Sequence, residues 1–102
     1  MKCALTCIAK DEDLYIDEWI KYHLHIGFDK KYVYRNDWTY SNNLSDVIWL
    51  DIHGRVQQLN AYNHWLKHFS QEYDWVSVID CDEFFNLCDS YTDVHQFFND
   101  FS

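Results

Sequence analysis

The chain has no proline, only two glycines in 102 residues, and no lysine or arginine after Lys67. So little proline and glycine excludes collagen-like and linker compositions. No stretch approaches the ~18 consecutive apolar residues of a membrane span. The opening, Met1-Lys2-Cys3-Ala4-Leu5-Thr6-Cys7-Ile8-Ala9, is too short and too soon followed by acids to be a signal peptide. The chain therefore reads as cytoplasmic. The lack of a glycine-rich loop argues against a P-loop or a dinucleotide fold. Neither pair among the four cysteines (Cys3, Cys7, Cys81, Cys88) forms a CxxC, so no recognisable zinc pattern exists. Cys3 and Cys7 fall on one face of a strand and read as buried small hydrophobes in a reducing compartment, a metal or redox role being the alternative.

What is present is 48% hydrophobic and 20% aromatic, which excludes disorder and fits one domain over residues 1–102. Charge is uneven. Residues 1–70 carry nine acids against eight bases, whereas residues 71–102 carry eight acids and no base, giving the formal −9. With no basic patch, nucleic acid is excluded as a partner. An acid-rich end full of aromatic residues is not a solvated tail, and it suggests cation binding.

The apolar run Cys3 to Ala9 predicts a strand buried on both faces. Asp11 or Asp13 then caps a helix bearing Ile16, Trp19, Ile20, His23 and Leu24, which Gly27 stops. Lys31 to Asn36 and Val47 to Asp51 read as further strands. Leu59, Tyr62, Leu66 and Phe69 mark the apolar face of a second helix, widened by Trp65. Trp75 to Ile79 reads as a fourth strand. Thr92 caps a last helix carrying Val94, Phe97, Phe98 and Phe101, whose apolar face is left exposed. This order predicts an α/β fold, a mostly parallel sheet with flanking helices. The uncovered last helix suggests an incomplete domain, the front of a larger one, or a homodimer formed through that face.

In open α/β sheets ligands bind beyond the carboxyl ends of the strands. The polar clusters Asp11-Glu12, Asn36-Asp37 and Asp80-Cys81-Asp82-Glu83 all fall there. Asp80 and Asp82, one residue apart, suit a hard divalent cation, although a solvated turn explains an isolated DxD equally simply. Asp11 and Glu12 either contact a ribose or base or serve the helix start. Asn36 and Asp37 either hydrogen-bond a nucleobase or ribose or form a plain turn. Gln58 and Tyr62 share a helix face. Tyr62 reads as core, His64 as a surface residue, and His23 as a hydrogen-bonded core histidine.

The segments Cys7 to His23, Gly27 to Lys30, Tyr32 to Asp37, Gln58 to His64 and Trp75 to Phe85, in this order, resemble family-2-like glycosyltransferases along nearly the whole chain. The resemblance implies a Rossmann-like GT-A fold binding a nucleotide-diphosphate sugar, with UDP favoured, together with Mn²⁺ or Mg²⁺. It implies that the Ala9 backbone, Glu12 and Asp37 line the nucleoside pocket. It places Asp80 toward ribose or metal, makes Asp82 the direct metal ligand, and sets Gln58 near nucleotide or sugar. Arg35 stands where such enzymes often carry Asp, and it either contacts a phosphate or shifts the pocket. The resemblance does not indicate the catalytic residue, because in such enzymes the base usually comes from an acceptor half that the matching segments do not include. The implied activity is transfer of a sugar to a glycan acceptor in surface polysaccharide biosynthesis. The alternative is a non-catalytic GT-A fragment acting as a nucleotide-sugar-binding or interaction module. An aspartate-nucleophile phosphatase built on Asp80 and Asp82 would need a small hydroxyl residue where the chain has Glu83-Phe84.

Overall fold

The computed structural model describes residues 2–10, 15–55, 57–80, 83–87 and 91–100. The first apolar run forms β1 (Cys3–Ala9), buried along almost its whole length because both of its faces are covered. With β2 (Lys30–Asn36), β3 (Val47–Ile52) and β4 (Trp75–Val78) it makes a sheet of order β3-β2-β1-β4. Every pairing is parallel, with Ala9 opposite Arg35, Asn36 opposite Ile52 and Thr6 opposite Val78. The expected mostly parallel sheet is thus wholly parallel among the described strands.

Period-two alternation sends β1 side chains to opposite faces. Cys3, Leu5, Cys7 and Ala9 join Val33 of β2 in a core closed by helix α1 (Ile16–His25) and the short helix α3 (Val94–Asn99). Ala4, Tyr32 and Tyr34 face the other way, against Ala61 and Trp65 of helix α2 (Gln58–Phe69). Cys3 and Cys7 are buried, as expected for small hydrophobes. The connection from β2 to β3 has no helix. Instead Trp38 is buried on the α1 side, and the Tyr40 hydroxyl and Asn42 Nδ2 both donate to Asp17 Oδ1 (2.7 and 2.6 Å).

Three expectations need correction. The apolar face of α2 is not Leu59, Tyr62 and Leu66. Leu59 and Leu66 are 70% and 53% exposed, and the helix is seated through Ala61 and Trp65, four apart, with Phe69 half-buried. The last helix is capped by Asp93, whose carboxylate accepts from His95 N–H, and not by Thr92, whose N–H and hydroxyl bond Gln96. Its apolar face is not exposed among the described residues; Phe97 is half-buried, and Phe101 lies outside them. Val94 and Phe98 are buried, and Phe98 stacks on Trp75 at 4.8 Å between ring centroids. At the start of α1 no side chain caps the helix from Tyr15, and Asp11 and Asp13 lie outside the described residues.

Gly27 ends α1 at φ +104°, as the spacing predicted. It also lies against the Asp93 carboxylate, into which a Cβ at this position would project. Gly27→Ala should therefore combine left-handed strain with displacement of the α3 cap, a loss of about 2–3 kcal/mol in urea denaturation. Among the described residues no helix is long and apolar enough to cross a membrane.

Candidate functional site

The chain runs outward from β1 to β2 to β3, then returns to place β4 on the other side of β1. The reversal opens a crevice at the carboxyl ends of β1 and β4, the position where ligands bind in open parallel sheets. A cleft of about 260 Å³ lies there, lined by Ile8, Asn36, Gln57, Gln58 and Asp80. Three residues singled out from the sequence, Asn36, Gln58 and Asp80, come from β2, α2 and the exit of β4, yet meet at this one cleft. A larger hollow, about 820 Å³, runs along α1 between Asp17, Lys21, Tyr22, His25 and Phe84. It follows the length of the helix rather than crossing the strand ends.

Each lining residue has a local reason for its place. Asn36 is the last residue of β2, and its buried Oδ1 has no hydrogen-bond partner among the described residues. Gln57 and Gln58 form the start of α2, which has no side-chain cap and no acid in its first turn. Its first amides, which have no partner within the helix, and its positive dipole end thus favour an anion. Gln58 Nε2 donates to the Tyr62 hydroxyl (3.0 Å). Tyr62, expected as core, is half-buried, and that burial, with Asp80 and Glu83 nearby, raises its phenol pKa.

Asp80 is bonded twice to Glu83. Its N–H donates to Glu83 Oε1 and the Glu83 N–H donates to its carbonyl, both at 3.0 Å. Three α1 side chains hold the following backbone. Trp19 Nε1–H donates to the Glu83 carbonyl (2.8 Å) and the Tyr22 hydroxyl to the Phe85 carbonyl (2.7 Å). The Phe85 N–H donates to His23 Nε2 (3.1 Å). His23 is thus the hydrogen-bonded core histidine that its place on the helix predicted.

The other expected residues are placed differently. Ala9 ends β1, buried, beside Arg35 in the register. Asp37 adopts φ +52°, a conformation that Asp tolerates, and turns away from the Asn36 cleft. It lines a separate cleft with Arg35, Trp38, Asp51 and His53. Its carboxylate bonds His53 Nδ1 (2.8 Å) and Gly54 N–H (3.1 Å), and these bonds lower its pKa. Arg35 forms a two-pronged pair with its strand partner Asp51 (2.9 and 3.1 Å) and also donates to the Tyr40 carbonyl (2.9 Å). Its guanidinium is therefore committed to the β2–β3 edge rather than presented to a phosphate. His64 is exposed, with Nδ1 2.7 Å from the Tyr34 hydroxyl. Glu12 and Asp82 lie outside the described residues.

No sequence spacing pointed to a second constellation. Cys3, Asp29 and His95 converge at the amino-terminal edge of the sheet, opposite the cleft. Burial first, then the Asp29 and Asp93 carboxylates, push the Cys3 thiol up to about 11.

The fold and cleft define a protein of the open, parallel α/β class with a polar site at its topological switch point. Comparison with protein-family models, curated proteins and solved structures finds no match to this chain.

Proposed function

We propose that the cleft binds a nucleotide-diphosphate sugar, and that the chain is the donor-binding part of a GT-A glycosyltransferase acting on a glycan acceptor in surface polysaccharide biosynthesis. The observation that carries this reading is the meeting of Asn36, Gln58 and Asp80 in one cleft at the β1–β4 switch point, with the Asn36 Oδ1 left without a partner among the described residues. The donor set is oxygen-rich and hard, as Mn²⁺ or Mg²⁺ requires. Asp80, with Asp82 next but one in sequence, would hold that cation. When bound, it would neutralise charge developing on the departing nucleoside diphosphate. The start of α2, which has no side-chain cap, turns its first amides and positive dipole end to the diphosphate. Asn36 hydrogen-bonds the ribose or base, and Gln58, braced by Tyr62, orients the phosphate or sugar. Glu83 does not touch substrate in this scheme; it fixes the backbone from which the Asp80 carboxylate projects.

The test is a thermal-shift panel of UDP, GDP, CDP and their sugars, with and without Mn²⁺, on the native chain, Asp80→Asn and Asp82→Asn. A ligand at one hundred times its Kd adds about 2.7 kcal/mol, which raises the Tm of so small a domain by roughly 10 °C or more. The expected result is a shift that needs both one nucleotide and the metal, and that disappears in both variants. No shift with any nucleotide, or a shift unchanged in both variants, overturns the reading. Binding without donor turnover identifies the non-catalytic module instead.

A further inference from the structure

The parallel pairing of β1 and β2 fixes two residues far apart in sequence at the edge opposite the cleft. Asp29 N–H donates to the Cys3 carbonyl (2.9 Å), and Cys3 N–H donates to Asp29 Oδ2 (2.7 Å). The third residue arrives on α3, which is docked by Val94 N–H on the Ile26 carbonyl (2.8 Å). That contact sets His95 Nε2 2.8 Å from Asp29 Oδ2. Cys3 Sγ, an Asp29 oxygen and a His95 nitrogen all lie within 4.8 Å of one another.

Asp93 completes the arrangement. Its Oδ1 accepts from the His95 backbone N–H (2.6 Å) and is 2.8 Å from His95 Nδ1. A carboxylate on Nδ1 fixes the tautomer and aims Nε2 at the other two groups, as the second shell of a metal-bound histidine does. Cys3 is fully buried and forms the floor. The His95 and Asp29 side chains are 33% and 38% exposed and leave a way in.

We propose that Cys3, Asp29 and His95 bind a zinc-class divalent cation, with Asp93 as the orienting partner of His95 and water in the fourth position. One thiolate, one imidazole and one carboxylate form a mixed S/N/O set that suits tetrahedral zinc rather than magnesium or calcium. Around zinc the ligand atoms stand roughly 3.3–3.8 Å apart. The Asp29–His95 contact therefore opens by about half an ångström and Cys3 moves inward. Without metal, a proton on Nε2 bridges His95 to Asp29 and the thiol keeps its own. Uptake of M²⁺ expels both protons, so thiolate and carboxylate balance the cation's charge. The bound ion ties α3 to the starts of β1 and β2, and it is independent of the carboxyl-end cleft.

The test is titration of the chelator-treated, reduced full chain with Co²⁺ alone, followed by displacement with Zn²⁺. A tetrahedral site containing a thiolate gives a near-ultraviolet sulfur-to-cobalt charge-transfer band and intense visible d–d bands. The exposed pair His64 and His68 gives no thiolate band, and a site beside Asp80 that used Cys81 is told apart by the Cys81→Ser/Cys88→Ser variant. The expected result is one equivalent of cobalt bound with both signatures, retained in Cys7→Ser, Asp82→Asn and Cys81→Ser/Cys88→Ser. The signatures should be lost in Cys3→Ser and in His95→Gln, the latter made at a part-exposed position. Asp93→Asn, which still caps α3, should weaken binding about 10- to 100-fold. Absence of the thiolate band in the native chain overturns the proposal. So does a band that survives His95→Gln, or one that is lost with Cys81 and Cys88.

Discussion

Trp65→Ala should destabilise the fold by about 3–5 kcal/mol, read as a lower midpoint in urea or guanidinium denaturation. Trp65 is 2% exposed and sits edge-on to Tyr32, with centroids 5.7 Å apart, and beside Tyr73 at 5.9 Å. This face of the sheet is covered by α2 alone among the described helices, and its buried core is Ala4, Tyr32, Tyr34, Ala61 and Trp65. No other aromatic of the helix is fully buried there to take over. The indole Nε1–H is buried without a hydrogen-bond partner, so the loss is one of packing and not of a polar contact. Leu59→Ala and Leu66→Ala should instead stay within about 0.5 kcal/mol of the native chain, since both side chains point largely to water. A multi-kcal/mol loss in either leucine variant with a small one in Trp65→Ala would mean that α2 seats its other face.

The same helix shows where sequence reading stops. Leu59, Tyr62, Leu66 and Phe69 have helical spacing, and so do Ala61, Trp65 and Phe69. The two stripes share Phe69 and both run along one cylinder. Periodicity therefore finds the helix but not the side that meets the sheet. Ala61 adds little to a hydrophobic pattern, yet its small side chain lets α2 approach Tyr32 and Tyr34. The strands were legible for the opposite reason: a short apolar or β-branched run between polar turns has one way to be buried in a parallel sheet. Strand ends also made Asn36 and Asp80 legible, because the rule that sites lie beyond carboxyl ends needs no tertiary detail. Asp37 did not follow Asn36 into the cleft because one left-handed residue reverses the direction of its side chain. The cluster of Cys3, Asp29 and His95 joins positions 26 and 66 residues apart at the amino-terminal edge, where that rule directs no attention. The burial of α3 depends on Trp75 offering its ring to Phe98, a contact that no local pattern encodes.

Acidification from pH 6.5 to 4 should cost the fold roughly 3 kcal/mol through His23 alone. His23 is fully buried, with Nδ1–H donating to the Trp19 carbonyl (2.7 Å) and Nε2 accepting from Phe85 N–H. Burial, assisted by the charge of Lys31 and opposed by the Trp19 bond, lowers its pKa to about 4. Between 6.5 and 4 the unfolded chain takes up a proton that the folded chain refuses. The contribution is therefore fully present above pH 6.5 and is lost as the pH falls through 4. Among the other shifted groups, His64 is also lowered from 6.5, by burial and then by His68 and Lys67, and adds to the loss on the acid side. Asp29 and Asp37 are lowered from an ordinary value of 3.8, so their loss comes at still lower pH. Burial pulls His95 down, but Asp29 and Asp93 outweigh it and raise it above 6.5, so its contribution is lost on the alkaline side. Denaturation at pH 7 and pH 4.5 should thus show a drop that shrinks in His23→Leu, even though that variant is less stable at pH 7. An NMR titration in which the His23 ring protonates near 6.5 would refute the assignment. Protonation also sets an N–H⁺ against the Phe85 N–H, and Phe85 follows the Asp80–Glu83 pair on the same tether. Amides from Glu83 to Phe85 should accordingly lose hydrogen-exchange protection in this window before the strands do, coupling acidity to the geometry of the carboxyl-end cleft.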